Sequence, residues 1–300
     1  MIPEGMSTTM FVAALALAFI MGASIFSFYM ASASRVLYFF YGPARKQLSY
    51  PMRWKEFFSR RSFCDDCESQ IPPGALAPVL GYFLARRHCQ SCGSEIPAIH
   101  PIMESLGGFL MVYFLLASQD FLLSILALLF CGHLIISITT DWTLYALDYE
   151  NTILAALIAL LFLGRKSMIL HTDPLQEASL FWQNLALFGE SSIDSWGLLL
   201  QFLTFSVWIG PALTAIGALL LFLPIHFWKP EGLGLGDVWL MVPLALFHSM
   251  PFVLIPIIAA SGWSIMHILV FNRDVRSPAP LGAFLAIGSM ITAVVQFAFY

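Results

Sequence analysis

The sequence predicts an all-α polytopic membrane protein of about eight transmembrane helices with a small cytoplasmic zinc-ribbon-like domain. Three observations carry that expectation. Of the 300 residues 59% are hydrophobic and 11% charged, with mean hydropathy +0.81, against roughly 25% charged in an ordinary soluble domain. Apolar stretches approaching the length of a bilayer crossing recur along the chain. Two Cys-x-x-Cys pairs fall together in the longest polar segment between them.

The eight stretches are 8–30, 103–119, 121–140, 152–164, 200–225, 238–250, 252–271 and 281–299. Gln119-Asp120 and Met250-Pro251 punctuate two longer runs and divide each into a pair. The first stretch is too long for a signal-peptide core, and Glu4 stands where a basic segment would precede one, so it is expected to be retained. The organisation that follows is a first transmembrane helix at 1–30, a cytoplasmic double-CxxC domain at 31–101, and a transmembrane peptidase-like region at 102–300 with an extracytoplasmic insert at 165–199. No internal repeat or low-complexity tract is expected.

Basic residues orient these stretches. With the N-terminus outside, Arg35, Arg45, Lys46, Arg53, Lys55, Arg60, Arg61, Arg86, Arg87, Lys229, Arg273 and Arg276 fall on one side, and only Arg165 and Lys166 on the other. Twelve against two is a strong positive-inside asymmetry. It places 31–101 and the loops holding Asp141 and Asp237 in the cytoplasm. The basic residues do not line a groove with exposed aromatics, and the net charge is only −4, so a nucleic-acid partner is not expected.

Cys64-Asp65-Asp66-Cys67 and Cys89-Gln90-Ser91-Cys92 are separated by 21 residues, close to zinc-ribbon spacing, in which two turns present four thiolates to one tetrahedral Zn²⁺. A reducing cytoplasm disfavours disulfides there, and a redox pair has no βαβ pattern around it. The zinc is expected to be structural. The fifth cysteine, Cys131, lies within an apolar stretch and is expected to be a buried thiol.

Two carboxylates are placed for chemistry. Asp237 ends Glu231-Gly232-Leu233-Gly234-Leu235-Gly236-Asp237, where small residues bring an acid to the edge of an apolar stretch, an expensive position for an ionisable group. Asp141 stands where the stretch 121–140 gives way to polar sequence. Two such acids held together share a proton and titrate as a pair, one activating water while the other polarises a peptide carbonyl. Gly234 and Gly236 would let a bound chain approach, and Asp148, Glu104 and Glu231 are supporting candidates. Asp148 is also the alternative to Asp141, because the two are seven residues apart and would share a face of a continuing helix. An isolated acid at a helix end is equally often a cap. His133 is expected to be a hydrogen-bonded core residue, and His226, His248 and His267 interfacial.

These residues together resemble the type IV prepilin peptidases, membrane aspartyl enzymes that cleave prepilin leaders and usually methylate the new N-terminus. The resemblance runs through Met21-Gly22-Ala23-Ser24, the double knuckle, Pro78 to Tyr82 with Arg86-Arg87, and His100-Pro101-Ile102-Met103-Glu104. It continues through Thr140-Asp141, Asn151-Thr152, Glu231 to Asp237, and Pro280-Leu281-Gly282-Ala283-Phe284-Leu285. Trp239 stands where the family usually has lysine, and Tyr149 follows Asp148 with no preceding proline.

The resemblance implies catalysis by Asp141 and Asp237, prepilin or pseudopilin substrates, S-adenosylmethionine as methyl donor, and a bacterial inner-membrane location with a cytoplasmic active site. A presenilin-like intramembrane protease also uses a Gly-x-Gly-Asp loop, but pairs it with Tyr-Asp and has no double knuckle. A transporter or assembly subunit whose aspartates bind a cation is the non-enzymatic alternative.

Overall fold

The computed structural model describes residues 7–64, 66–187, 206–229, 232–272 and 279–299. They form helices joined by short loops, with no strand among the described residues. In order these are α1 (Thr8–Val36), α2 (Ala44–Gln47), α3 (Tyr50–Ser59), α4 (Leu80–Leu84), α5 (Ile99–Ser118), α6 (Phe121–Leu144) and α7 (Tyr149–Leu170). There follow α8 (Pro174–Leu187), α9 (Ile209–Trp228), α10 (Leu235–His248), α11 (Leu254–His267) and α12 (Leu281–Phe297). Single π turns extend α1 to Tyr41 and α11 to Asn272.

Each of the eight apolar stretches overlaps one of these helices; residues 200–205 of the stretch expected at 200–225 lie outside the described residues, and its helix runs from Ile209 to Trp228. Five are long and apolar enough to cross a membrane (α1 with its π turn, α5, α6, α7 and α9), while α10, α11 and α12 are shorter apolar helices. The chain is an all-α membrane protein. The stretch expected at 152–164 belongs to a longer helix, α7, which runs from Tyr149 to Leu170 through Arg165 and Lys166. The first residues assigned to the insert are therefore helical.

Lys166 lies within that helix, in the field of an acid, Glu177 on α8. Glu177 is buried and accepts from the Ser206 hydroxyl (2.8 Å) and from the backbone N–H groups of Val207 (2.9 Å), Trp208 (2.9 Å) and Ile209 (3.3 Å). Those amides open α9 and have no partner within the helix. One carboxylate thus caps α9 from the insert. Glu177→Ala strands several buried donors at about 1–3 kcal/mol each, so the thermal midpoint of the detergent-solubilised protein should fall, and an unchanged midpoint would remove this role.

The chain divides into two compact units, Met1–Leu128 and Leu129–Tyr300, with the boundary inside α6. In the first, α1 and α5 pack through small residues, as membrane helices do. A Cβ on Gly22 would collide with the Gly107 carbonyl, and one on Gly107 with Phe26. Glu104 on α5 joins the pair to the segment before α4, accepting from the Ser27 hydroxyl (2.6 Å) and the Val79 N–H (2.6 Å). Val79 has φ +63°, unusual for a β-branched residue, and Glu104 holds it there.

In the second unit the core is aromatic, with Phe247 stacked on Phe130 (4.1 Å between centroids) and against Phe162 (4.4 Å). Polar pairs lie within it. His133 Nδ1 is 2.8 Å from Asn151 Oδ1, joining α6 to α7. His248, expected at an interface, is instead fully buried between Gln296 (2.9 Å) and Ser289 (2.6 Å) of α12. Its partners lie more than forty residues away in sequence, beyond any local pattern.

Candidate active site and metal centre

Four helix ends meet in the second unit: the C-terminus of α6 and the N-termini of α7, α10 and α12. Helix α6 stops at Leu144, and Tyr145, at φ +50°, turns the chain into the loop 145–148. Leu147 of that loop is buried against Gly236 and Gly282. Asp148 then caps α7, its Oδ1 accepting from the Asn151 N–H at 2.8 Å. The helix of Asp141 does not continue to Asp148, so the shared face expected from their spacing does not form.

Asp141 points to α12. It is 5% exposed, and its Oδ2 accepts from the Ala283 N–H at 2.8 Å. Asp237 lies in the first turn of α10, where its Oδ2 reaches back to the N–H of the N-cap residue Gly234 at 3.2 Å. Asp237 Oδ1 lies beside Gly282, the residue before Ala283, so both carboxylates face the first turn of α12. Pro280 offers α12 no side-chain cap; the Leu281 N–H is taken by the Ala279 carbonyl (2.8 Å), the Ala283 N–H serves Asp141, and the positive end of the helix dipole faces the acids.

Asp237 also borders a cleft of about 40 Å³ lined mainly by apolar side chains, among them Phe222, Leu233, Met241, Ile257 and Leu281. Chemically, the arrangement supplies two acids, fixed amides that orient them, and an apolar recess beside one.

Gly282 is where close approach matters most. A Cβ there would lie 2.7 Å from Leu147 Cδ1 and 2.9 Å from Asp237 Oδ1, both inside normal contact. Gly282→Ala should displace Asp237 and lower kcat about 100-fold, the scale of a small misplacement of a reacting group. Equal kcat for wild type and variant would separate Gly282 from the site. Gly236 is tight in a milder way, since a Cβ would stand 3.1 Å from Leu147 Cβ.

The four knuckle cysteines converge within the first unit. Their sulfurs lie within 4.8 Å of one another, with Cys64 to Cys92 and Cys67 to Cys89 each at 3.9 Å. A tetrahedron of thiolates about 2.3 Å from Zn²⁺ has edges of about 3.8 Å, so the donor set fits zinc. The Cys92 and Ser91 N–H groups bring the Cys89 thiol down to about 6, and the Ser94 hydroxyl lowers that of Cys64. Both effects favour the thiolate that a metal requires.

The knuckles are also copies of each other. Phe63 bridges Gln70 as His88 bridges Glu95. The Cys64 N–H donates to Ser69 O as the Cys89 N–H donates to Ser94 O. Ser69 contacts Cys67 and Cys89, and Ser94 contacts Cys92 and Cys64. Every pair is offset by 25 residues. The repeat was readable as Cys-Glu-Ser-Gln-Ile-Pro at 67–72 against Cys-Gly-Ser-Glu-Ile-Pro at 92–97, contrary to the expectation of none. Glu68, at φ +55°, occupies the place that Gly93 fills at φ +77°, which disguises the match.

Residues 20–118 match the model of the bacterial peptidase A24 N-terminal domain. This chain carries a segment like the A24 N-terminal domain. The match covers about a third of the 300 residues and supports an assignment to the type IV prepilin peptidases, and with five candidate membrane helices it points to a bacterial membrane protein. No curated protein and no solved structure matches the chain. The A24 segment contains α1 from Ile20, both knuckles, Glu104 and α5. It ends before Asp141, so both acids lie beyond it.

Of the residues singled out in the sequence, the structure brings together Asp141, Asp237, Gly234 and Gly236, and separately the four cysteines. Asp148 is a cap, Glu104 braces Val79 in the first unit, and Glu231 and Asp65 lie outside the described residues. Neither the A24 match nor the geometry supports S-adenosylmethionine. Gly282 and Ala283 complete the acid site; their signal was the family-like element 280–285.

Proposed function

We propose that this protein is an aspartyl endopeptidase that removes the basic leader of type IV prepilins or type II secretion pseudopilins at the cytoplasmic membrane face. The observation that carries the proposal is the convergence of Asp141, bonded to the Ala283 N–H, and Asp237, beside Gly282, on the first turn of α12. The ionised member takes a proton from water. The resulting hydroxide adds to the scissile carbonyl, whose oxygen is polarised and then protonated by the other acid. Collapse of the tetrahedral intermediate breaks the C–N bond, and a proton passes to the leaving amine. Backbone amides hold both carboxylates throughout, and no metal enters these steps.

A prepilin suits such a site because its leader is basic and the helix that follows is apolar. Asp141 lies in the last turn of α6 and Asp237 in the first turn of α10. The scissile bond would be met where these helices end, with its apolar side beside the Asp237 cleft. Asp148 and Glu150, at the start of α7, add negative charge for the leader, and Glu231 is proposed for the same role on its sequence position alone. Zinc in the knuckles is structural here. Methylation of the new N-terminus with S-adenosylmethionine is proposed from the resemblance alone.

The test is to incubate purified protein in detergent with a prepilin and an isotopically labelled methyl donor, and to weigh the products. A single cut between leader and apolar helix supports the proposal, and an added methyl group supports the second activity. Cleavage only within the apolar helix would favour a presenilin-like protease, and no cleavage of any prepilin offered would favour a non-enzymatic role.

A further inference from the structure

Helices α2 and α3 are not used by the knuckles or by the acids, yet their position is closely specified. From Thr8 to Ser34 the chain carries no charge. At 1.5 Å per residue that is about 40 Å of helix, enough to cross a bilayer including its headgroups. Arg35, the charge that ends this run, therefore sits at headgroup level. Its guanidinium donates to Phe57 O (2.8 Å) and Arg60 O (2.6 Å), the last turn and C-cap of α3. The other end of α3 is held by aromatic contact of Phe40 with Tyr50 and Trp54. Helix α3 is thus pinned at both ends to the part of the first helix that leaves the membrane.

Its two faces differ. Inward, Phe57 is buried, and Arg53 lies half-buried over the rings of Phe40 (5.7 Å) and Tyr50 (5.3 Å). Outward, Phe58 is 68% exposed and Met52 41%, with the exposed Lys55 between them. Arg45 and Lys46 of α2 are exposed beside it. Between Gly42 and Phe63 there are six basic residues and one acid, the half-buried Glu56. Apolar side chains flanked by long cations suit the boundary between acyl chains and anionic headgroups.

We infer that α2 and α3 form an interfacial anchor that recognises anionic phospholipid headgroups, with Phe58 and Met52 in the acyl boundary and Arg45, Lys46 and Lys55 on the phosphates. The anchor is independent of peptidase chemistry. It would hold the segment leading to the knuckles against the bilayer.

The test is hydrogen exchange of the full chain in vesicles of phosphatidylcholine alone and of phosphatidylcholine with phosphatidylglycerol. Amides of 44–59 should exchange about tenfold more slowly in the anionic vesicles, given the attraction expected for several basic residues at a charged surface. The double variant Lys46→Glu/Lys55→Glu should lose that difference. Both side chains are exposed, and unchanged exchange in α5 verifies the fold. Equal exchange in the two vesicle types overturns the inference. So does equal slowing in detergent micelles, which would mean that protein covers the face. A second readout is lipid retained through purification: phosphatidylglycerol should accompany the wild type in excess over the variant, and equal retention counts against the anchor.

Discussion

Asp141→Asn and Asp237→Asn should each lower kcat for prepilin cleavage at least about 1,000-fold, because each removes one half of an acid and base that act as a unit. Membrane insertion and zinc content should not change. Asp148→Asn should keep most of its activity, since asparagine caps a helix about as well as aspartate and Asp148 spends its Oδ1 on the Asn151 N–H. Single-turnover cleavage of a purified prepilin, with products weighed, is the measurement. An inactive Asp148→Asn beside an active Asp141→Asn would reassign the pair. Activity in all three variants would end the aspartyl mechanism.

Zinc removal should have the second largest effect, on structure more than on chemistry. Freshly prepared protein should hold about one zinc per chain, and serine at Cys64, Cys67, Cys89 or Cys92 should abolish stoichiometric binding, because a structural site uses all four thiolates. Apart from α4 and the Val79–Glu104 bond, the described residues of the knuckle segment 62–97 are held by two isolated bridges and a few turns. It should become readily cleaved by added protease in each variant and in chelator-treated wild type. Peptide hydrolysis should survive in part, since the proposed acids need no metal. Chelator-free protein without zinc by elemental analysis would sink this prediction. A strict metal requirement at Asp141 and Asp237 would instead point to a metallopeptidase.

What the sequence made legible was whatever depends on neighbours in the chain. Apolar runs located the helices because a bilayer imposes a length, and Cys-x-x-Cys located the metal donors because a knuckle is a local turn. The ends of helices were less legible. Charge at Arg165 and Lys166 looked like a boundary, but the helix continues through both, with Lys166 in the field of Glu177. Asp141 and Asp148 could not be separated by spacing, since that decision rests on whether α6 continues, and a four-residue loop interrupts it. The bonds that matter most at the acid site join residues 142 positions apart. Nothing in a local pattern carries them, and only the family-like element at 280–285 hinted that the last helix takes part.

That last helix also imposes an order on biosynthesis. Asp141 leaves the ribosome 142 residues before Ala283, a delay of roughly 7 to 28 s at 5–20 residues per second. Throughout that interval the acid lacks the amide that orients it, and Asp237 lacks its neighbour Gly282. A nascent chain held short of α12 can therefore carry both carboxylates in the membrane and still be inert. On the proposed mechanism, cleavage would begin only once α12 has inserted and the Ala283 N–H holds Asp141.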